Sequence, residues 1–154
     1  MEYKASDHGF RALNFHDRCD GKPLLVVIQS TQNYLFGGFT SVGFNINGSH
    51  IQDDASFIFT LSNPHGVEPT KFVGSPNYGY DYGYQYPTIY GATNNGPYFG
   101  QGDIAICDNS NINSSSTNFP YSYQDTTGYG NQLFVGSSNF RVKDIFAFSA
   151  SYEN

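Results

Sequence analysis

The sequence predicts a mainly β domain of the α+β class, opened by a short helix. Three observations carry that expectation. Short apolar runs rich in Val, Ile and Phe recur between clusters of Gly, Pro, Asn, Asp and Ser, the pattern of strands joined by turns. The chain holds 17 glycines and few helix formers. Rings make up 18% of its residues, 14 Phe and 13 Tyr with no Trp, so aromatic side chains must supply much of the core volume. A chain of 154 residues buries roughly two thirds of its unfolded surface without disulfides. No linker or repeat divides it, so residues 1–154 are expected to form one domain.

Each element follows from local chemistry. Residues 7–19 carry Phe10, Leu13 and His16 at three-residue spacing, which predicts a short helix. Ser6 or Asp7 is positioned to cap it, and Asp20-Gly21 ends it before Pro23. A hairpin comes next. Val26, Val27 and Ile28 favour a pleated backbone because branching at Cβ restricts χ1. Thr31-Gln32-Asn33 reverses the chain, and Gly37-Gly38 in the returning strand marks a bulge or the close approach of another backbone. Residues 45–54 read as a loop or ragged strand.

In Ser56-Phe57-Ile58-Phe59-Thr60-Leu61, a period of two puts Phe57, Phe59 and Leu61 on one face. Asn63-Pro64-His65-Gly66 turns, and short strands are expected at 69–73 and 103–107. The alternating segment 140–148 closes the chain as a strand. The expected core is Phe36, Phe57, Phe59, Ile104, Ile106, Phe146 and Phe148. Segment 76–98 is tyrosine-rich and segment 108–118 is rich in Asn and Ser, so both read as loops.

Composition excludes several classes of function. The net charge is −6 and the cations are scattered singly, so no basic stripe exists for nucleic acid or an anionic membrane surface. The longest apolar run, Leu24-Leu25-Val26-Val27-Ile28, is far short of the roughly 20 residues of a spanning helix. The polar start Met1-Glu2-Tyr3-Lys4-Ala5-Ser6-Asp7-His8 lacks the apolar core of a signal peptide, which points to a cytoplasmic protein. Cys19 and Cys107 are then expected as reduced thiols. The triplets Asn47-Gly48-Ser49 and Asn113-Ser114-Ser115 read as turns, not as glycosylation sites.

Candidate chemistry is thin. His8, His16, His50 and His65 show no metal-ligand spacing. The oxygen-rich segment 108–118 lacks the central glycine and terminal Glu of the familiar calcium loop. Gly100-Gln101-Gly102 lacks a third glycine and precedes a strand, so it makes no phosphate cradle. Asp53 and Asp54 point to opposite faces of an extended chain and read as solvated turn residues. A Cys nucleophile paired with His16 or His65 is conceivable in space, but nothing in the spacing demands it. No cofactor or metal is expected. The remaining candidate is the row Tyr78, Tyr80, Tyr82, Tyr84 and Tyr86, amphipathic rings suited either to cladding a sheet or to contacting another protein.

From Tyr3-Lys4-Ala5-Ser6-Asp7-His8-Gly9-Phe10 and Phe15-His16 onward, the chain resembles the TLDc domain family. The likeness runs through Leu24-Leu25-Val26-Val27-Ile28, Phe36-Gly37-Gly38-Phe39 and Ala55-Ser56-Phe57-Ile58-Phe59-Thr60-Leu61. It continues in Phe99-Gly100-Gln101-Gly102-Asp103-Ile104-Ala105-Ile106 and ends in Phe140-Arg141-Val142-Lys143-Asp144-Ile145-Phe146-Ala147-Phe148. Asn63-Pro64-His65-Gly66-Val67-Glu68-Pro69-Thr70-Lys71-Phe72 is similar to the version found in protists and simple animals. The resemblance implies a two-sheet antiparallel β-sandwich flanked by short helices. It also implies protection against oxidative stress and, for several members, regulation of the vacuolar proton-pumping ATPase. Family members often carry Glu immediately before the Ser-Phe of the central strand, where this chain has Ala55.

Three functions compete at this point. The first is a non-enzymatic module that binds a protein partner such as the vacuolar ATPase. The second is a structural or self-assembling protein that uses segment 76–98. The third is a thiol-dependent redox or hydrolytic enzyme built on Cys19 or Cys107.

Overall fold

The computed structural model describes residues 1–74 and 87–150. The chain opens with β1 (Tyr3–Lys4), α1 (Ala5–His8) and α2 (Ala12–Cys19), then the hairpin β2 (Leu24–Ser30) and β3 (Leu35–Thr40). Next come β4 (Ser49–Gln52), β5 (Phe57–Ser62), β6 (Thr70–Phe72), β7 (Thr88–Gly91), β8 (Asn95–Phe99) and β9 (Ile104–Cys107). It closes with β10 (Ser115–Ser116), a 3-10 turn (Gly130–Gln132), β11 (Asn139–Phe140) and β12 (Val142–Ser149). The strands form two antiparallel six-stranded sheets, ordered β1-β12-β2-β3-β5-β6 and β11-β10-β9-β8-β7-β4. The expected β-sandwich with short helices is present.

Most strands sit where the local patterns put them. The β2–β3 turn carries Asn33 at φ +71°, a left-handed position that Asn tolerates. The glycine pair does mark a close approach. A Cβ on Gly37 would stand 1.9 Å from the Val26 carbonyl oxygen, and one on Gly38 would stand 2.7 Å from the Phe99 ring.

The first helix departs from expectation. Gly9, at φ +105°, splits the segment into two helices. Ser6 caps neither helix, because its amide and hydroxyl donate to Asp144 at 3.0 and 2.7 Å. The N-terminal amides of α2 are met from elsewhere. Asp108 Oδ1 accepts from Ala12 N–H at 2.7 Å, and Asn14 Oδ1 accepts from Arg11 N–H at 3.0 Å. The buried face is Ala12, Phe15, His16 and Cys19, the i, i+3, i+4, i+7 set, while Leu13 is exposed.

Three loop or strand assignments change. Segment 76–98 is not one long loop, because β7 and β8 occupy its second half. A two-residue strand, β10, interrupts segment 108–118. The closing segment is two strands in different sheets. Phe140 pairs with Ser115 in the second sheet, and Val142 pairs with Ser30 in the first.

The core fills with rings. Tyr3, Phe15, Phe44 and Phe99 form a chain of edge-on contacts, each 5.5 Å between centroids. Phe36 meets Phe134 and Phe140 at 5.1 Å, and Phe119 joins Phe134 to Phe72 at 5.4 and 5.0 Å. Edge-on and tilted pairs suit the ring quadrupole.

Of the expected core, Phe36, Ile104 and Ile106 lie in the main cluster; Phe59 is buried but on the opposite face of its sheet, and Phe57, Phe146 and Phe148 are only partly covered. In β5 the inward residues are Ile58 and Thr60, both fully buried, and in β12 they are Ile145 and Ala147. In β5 the phase that faces in, Ile58 and Thr60, is the less apolar one, so the packing overrides alternation, whereas β12 carries apolar residues on both phases. A bulge between Val142 and Asp144 then shifts the phase of β12.

Candidate interaction surface

The reversed phase of β5 and β12 creates the most distinctive surface of the molecule. On the outer face of the first sheet, one cross-strand row runs Lys4, Phe146, Val27, Gly37, Phe59, Lys71. A neighbouring row runs Phe148, Leu25, Phe39, Phe57. The outer face of a sandwich sheet is normally polar, yet these rows are apolar between their terminal lysines. Phe148 is 39% exposed and Leu61 beside them 42% exposed. Phe59 is only 7% exposed because its ring lies against Gly37. Phe39 and Phe57 stack at 5.2 Å.

Both lysines lean inward over the rings. Lys4 Nζ stands 5.8 Å from the Phe146 ring centre, and Lys71 Nζ 4.8 Å from that of Phe57. These are cation–π distances. The strands of this sheet hold Lys4, Lys71 and Lys143 against one carboxylate, Asp144, which is occupied by Ser6. The strands of the second sheet hold no Lys, Arg, Asp or Glu. In a chain of net charge −6, the outer face of the first sheet is therefore locally positive.

Matching the chain against family models places it. The model described as the TLDc domain matches residues 1–149. The chain belongs to the TLDc family. A search of curated proteins returns no significant match.

The resemblance directs attention to Ala55, the position at which it implies Glu. Ala55 is exposed and lies between two buried residues, Asp53 and Ser56. Asp53 and Asp54 do diverge, but Asp53 is not solvated. Its carboxylate accepts from Thr40 Oγ1 at 2.8 Å and from Ser41 N–H and Oγ at 2.8 and 2.5 Å, so it ties the end of β3 to the β4–β5 connection. That role is structural.

Asp103 is a further buried carboxylate, besides Asp53 and Asp144. It accepts backbone N–H groups of Tyr121, Ser122 and Tyr123 at 2.9–3.1 Å. Burial pushes its carboxyl up to about 6, against the pull of those donors.

His16 sits between two acceptors, with Nδ1 2.6 Å from Asp20 Oδ1 and Nε2 2.7 Å from the Asn95 carbonyl. Neither acceptor can donate, so the ring serves both by carrying two protons. Burial opposes that charge, but the two bonds outweigh it and hold His16 above the ordinary histidine value.

The thiols do not combine with these groups. Cys19 is buried, and burial pushes its thiol up to about 12. Cys107 is half-buried, and its sulfur accepts from Ser115 Oγ at 3.4 Å. Among the described residues, no three His, Cys, Asp or Glu side chains gather as metal ligands, and no helix is long and apolar enough to cross a membrane.

The row Tyr78, Tyr80, Tyr82, Tyr84 and Tyr86 lies outside the described residues. Two later tyrosines of the same biased segment, Tyr90 and Tyr98, clad the second sheet with their centroids 4.8 Å apart beside His50. Sequence reading missed the lysine-flanked face. Its legible signal was the set of strands apolar on both phases, together with lysines inside them.

Proposed function

We propose that this TLDc chain is a single domain that acts by protein contact, not catalysis, in the cytoplasmic response to oxidative stress. Its proposed partner is the vacuolar proton-pumping ATPase. The observation that supports contact is the apolar outer face of the first sheet, where exposed Phe148 and half-buried Leu25, Phe39, Phe57 and Phe146 lie between two lysines. Contiguous apolar surface of this kind marks association sites. A thiol enzyme is less well supported, since a Cys19 thiol pushed to about 12 is protonated at neutral pH and a poor nucleophile. Tyr78, Tyr80, Tyr82, Tyr84 and Tyr86 are proposed as a second contact patch on their chemistry alone.

The test is co-elution of the purified chain with detergent-solubilised vacuolar ATPase, with ATP hydrolysis measured on the eluted complex. Co-elution with an altered rate is expected. If the two elute separately and hydrolysis is unchanged, the ATPase is not the partner.

A further inference from the structure

We infer that the outer face of the first sheet receives an amphipathic helix of a partner protein, one whose apolar stripe is bordered on both sides by carboxylates. This rests on the contact reading above and names the chemistry of the occupant.

Width is the first argument. Lys4 and Lys71 stand on the two end strands, but their ammonium groups reach inward over Phe146 of β12 and Phe57 of β5. β12 and β5 are separated by β2 and β3. Three strand spacings put the two ammonium groups about 14 Å apart across the sheet. The apolar floor between them is Leu25, Val27 and Phe39, with Gly37 adding no side chain. An α-helix with its side chains is about 10–12 Å across, so one helix fits between the lysines and two do not.

Charge is the second argument. Among the described residues, neither Lys4 nor Lys71 has an ion-pair partner. The one carboxylate in these strands is already bonded to Ser6. Two ammonium groups held over rings lack carboxylate counter-charges among the described residues. Carboxylates on both flanks of a docked helix supply them. A second copy of this chain is a poor occupant, because it would set lysine-bordered face against lysine-bordered face, and like charges opposed across an interface select against pairing.

The experiment uses two synthetic amphipathic helices of about 18 residues, roughly 27 Å long, the length of an eight-residue strand such as β12. Both carry a leucine stripe; one is flanked by Glu and the other by Lys. Fluorescence polarisation with the full chain should show the Glu-flanked peptide binding about tenfold tighter, as two edge ion pairs replace two repulsions. Added salt should narrow the gap. The double variant Lys4→Glu with Lys71→Glu should reverse the preference while its far-UV circular dichroism stays that of wild type.

Equal binding of both peptides, or of neither, overturns the inference. So does binding to phosphatidylserine vesicles without peptide binding, which would make the face a membrane contact. Concentration-dependent dimerisation abolished by the double variant would equally overturn it, in favour of a second copy. The two readings separate cleanly. If the ATPase co-elutes with wild type and with the double variant alike while neither peptide binds, this inference fails and the proposed function stands. If the Glu-flanked peptide binds as expected and the ATPase does not co-elute, the reverse holds.

Discussion

Phe99 of the second sheet rests on Gly38 of the first, so closely that a Cβ at position 38 would stand within 2.8 Å of three atoms of the ring. This contact helps set how the sheets meet. Gly38 pairs with Val26 on one side and Ile58 on the other, both fully buried, so the ring has no room to retreat within that layer. Gly38→Ala should therefore destabilise the domain by about 1–3 kcal/mol, the usual cost of overpacking. A urea titration measures it, and an unchanged midpoint would show that the sheets can separate to admit a methyl group.

The phase of β5 gives a second expectation. Ile58 is fully buried between the sheets, whereas Leu61 is largely exposed. Ile58→Ala should cost about 2–5 kcal/mol, and Leu61→Ser should stay within about 0.5 kcal/mol. Equal losses in a denaturant titration would contradict the assignment of faces.

Asp103 organises the segment around Tyr121, Ser122 and Tyr123 through their backbone N–H groups. Asp103→Asn would turn an amide NH2 toward donors that need an acceptor. A loss of about 2–3 kcal/mol is expected, with faster amide exchange at those three positions. Exchange rates matching wild type would mean the loop is held by other contacts.

His16 makes stability depend on pH. Its value in the folded protein lies above the ordinary 6.5 of the unfolded chain, chiefly through Asp20 and Asn95 acting against burial. The extra stability is therefore complete below pH 6.5 and is lost as pH rises through the higher folded value. Urea midpoints taken from mildly acidic to mildly alkaline pH should fall for wild type and change less for His16→Gln. Parallel curves for the two proteins would remove His16 as the cause.

The thiols should differ in reactivity. Cys107 is half-buried, while Cys19 is buried with its thiol pushed up to about 12. Iodoacetamide at neutral pH should label Cys107 first and Cys19 only on unfolding. Mass spectrometry of the native labelled chain decides it, and early labelling of Cys19 would show that α2 opens readily.

Local chemistry made the strand positions legible. Val26-Val27-Ile28 and Ser56-Phe57-Ile58 favour extended backbone wherever the chain goes, and Asn33 and Gly66 reverse it by tolerating positive φ. The split of the first helix was harder to see, because Gly9 lies inside a pattern that continues past it. β7 and β8 were hidden by composition, since tyrosines and glycines at 88–99 resemble the loop that precedes them.

The sequence by itself determined the mainly β class, the hairpin, the family and the absence of a basic stripe, all of which rest on residue types and short spacings. Only the tertiary structure decided which faces are inside. In β5 a period of two ranks Phe57, Phe59 and Leu61 as the apolar face, yet Ile58 and Thr60 are the residues that face in. The choice was made across the sandwich, where rings such as Phe99 and Phe134 from distant segments already fill the gap. What the core left over became the outer surface. That is why Phe57, Phe146 and the lysines above them assemble into one face, though no stretch of sequence brings them together.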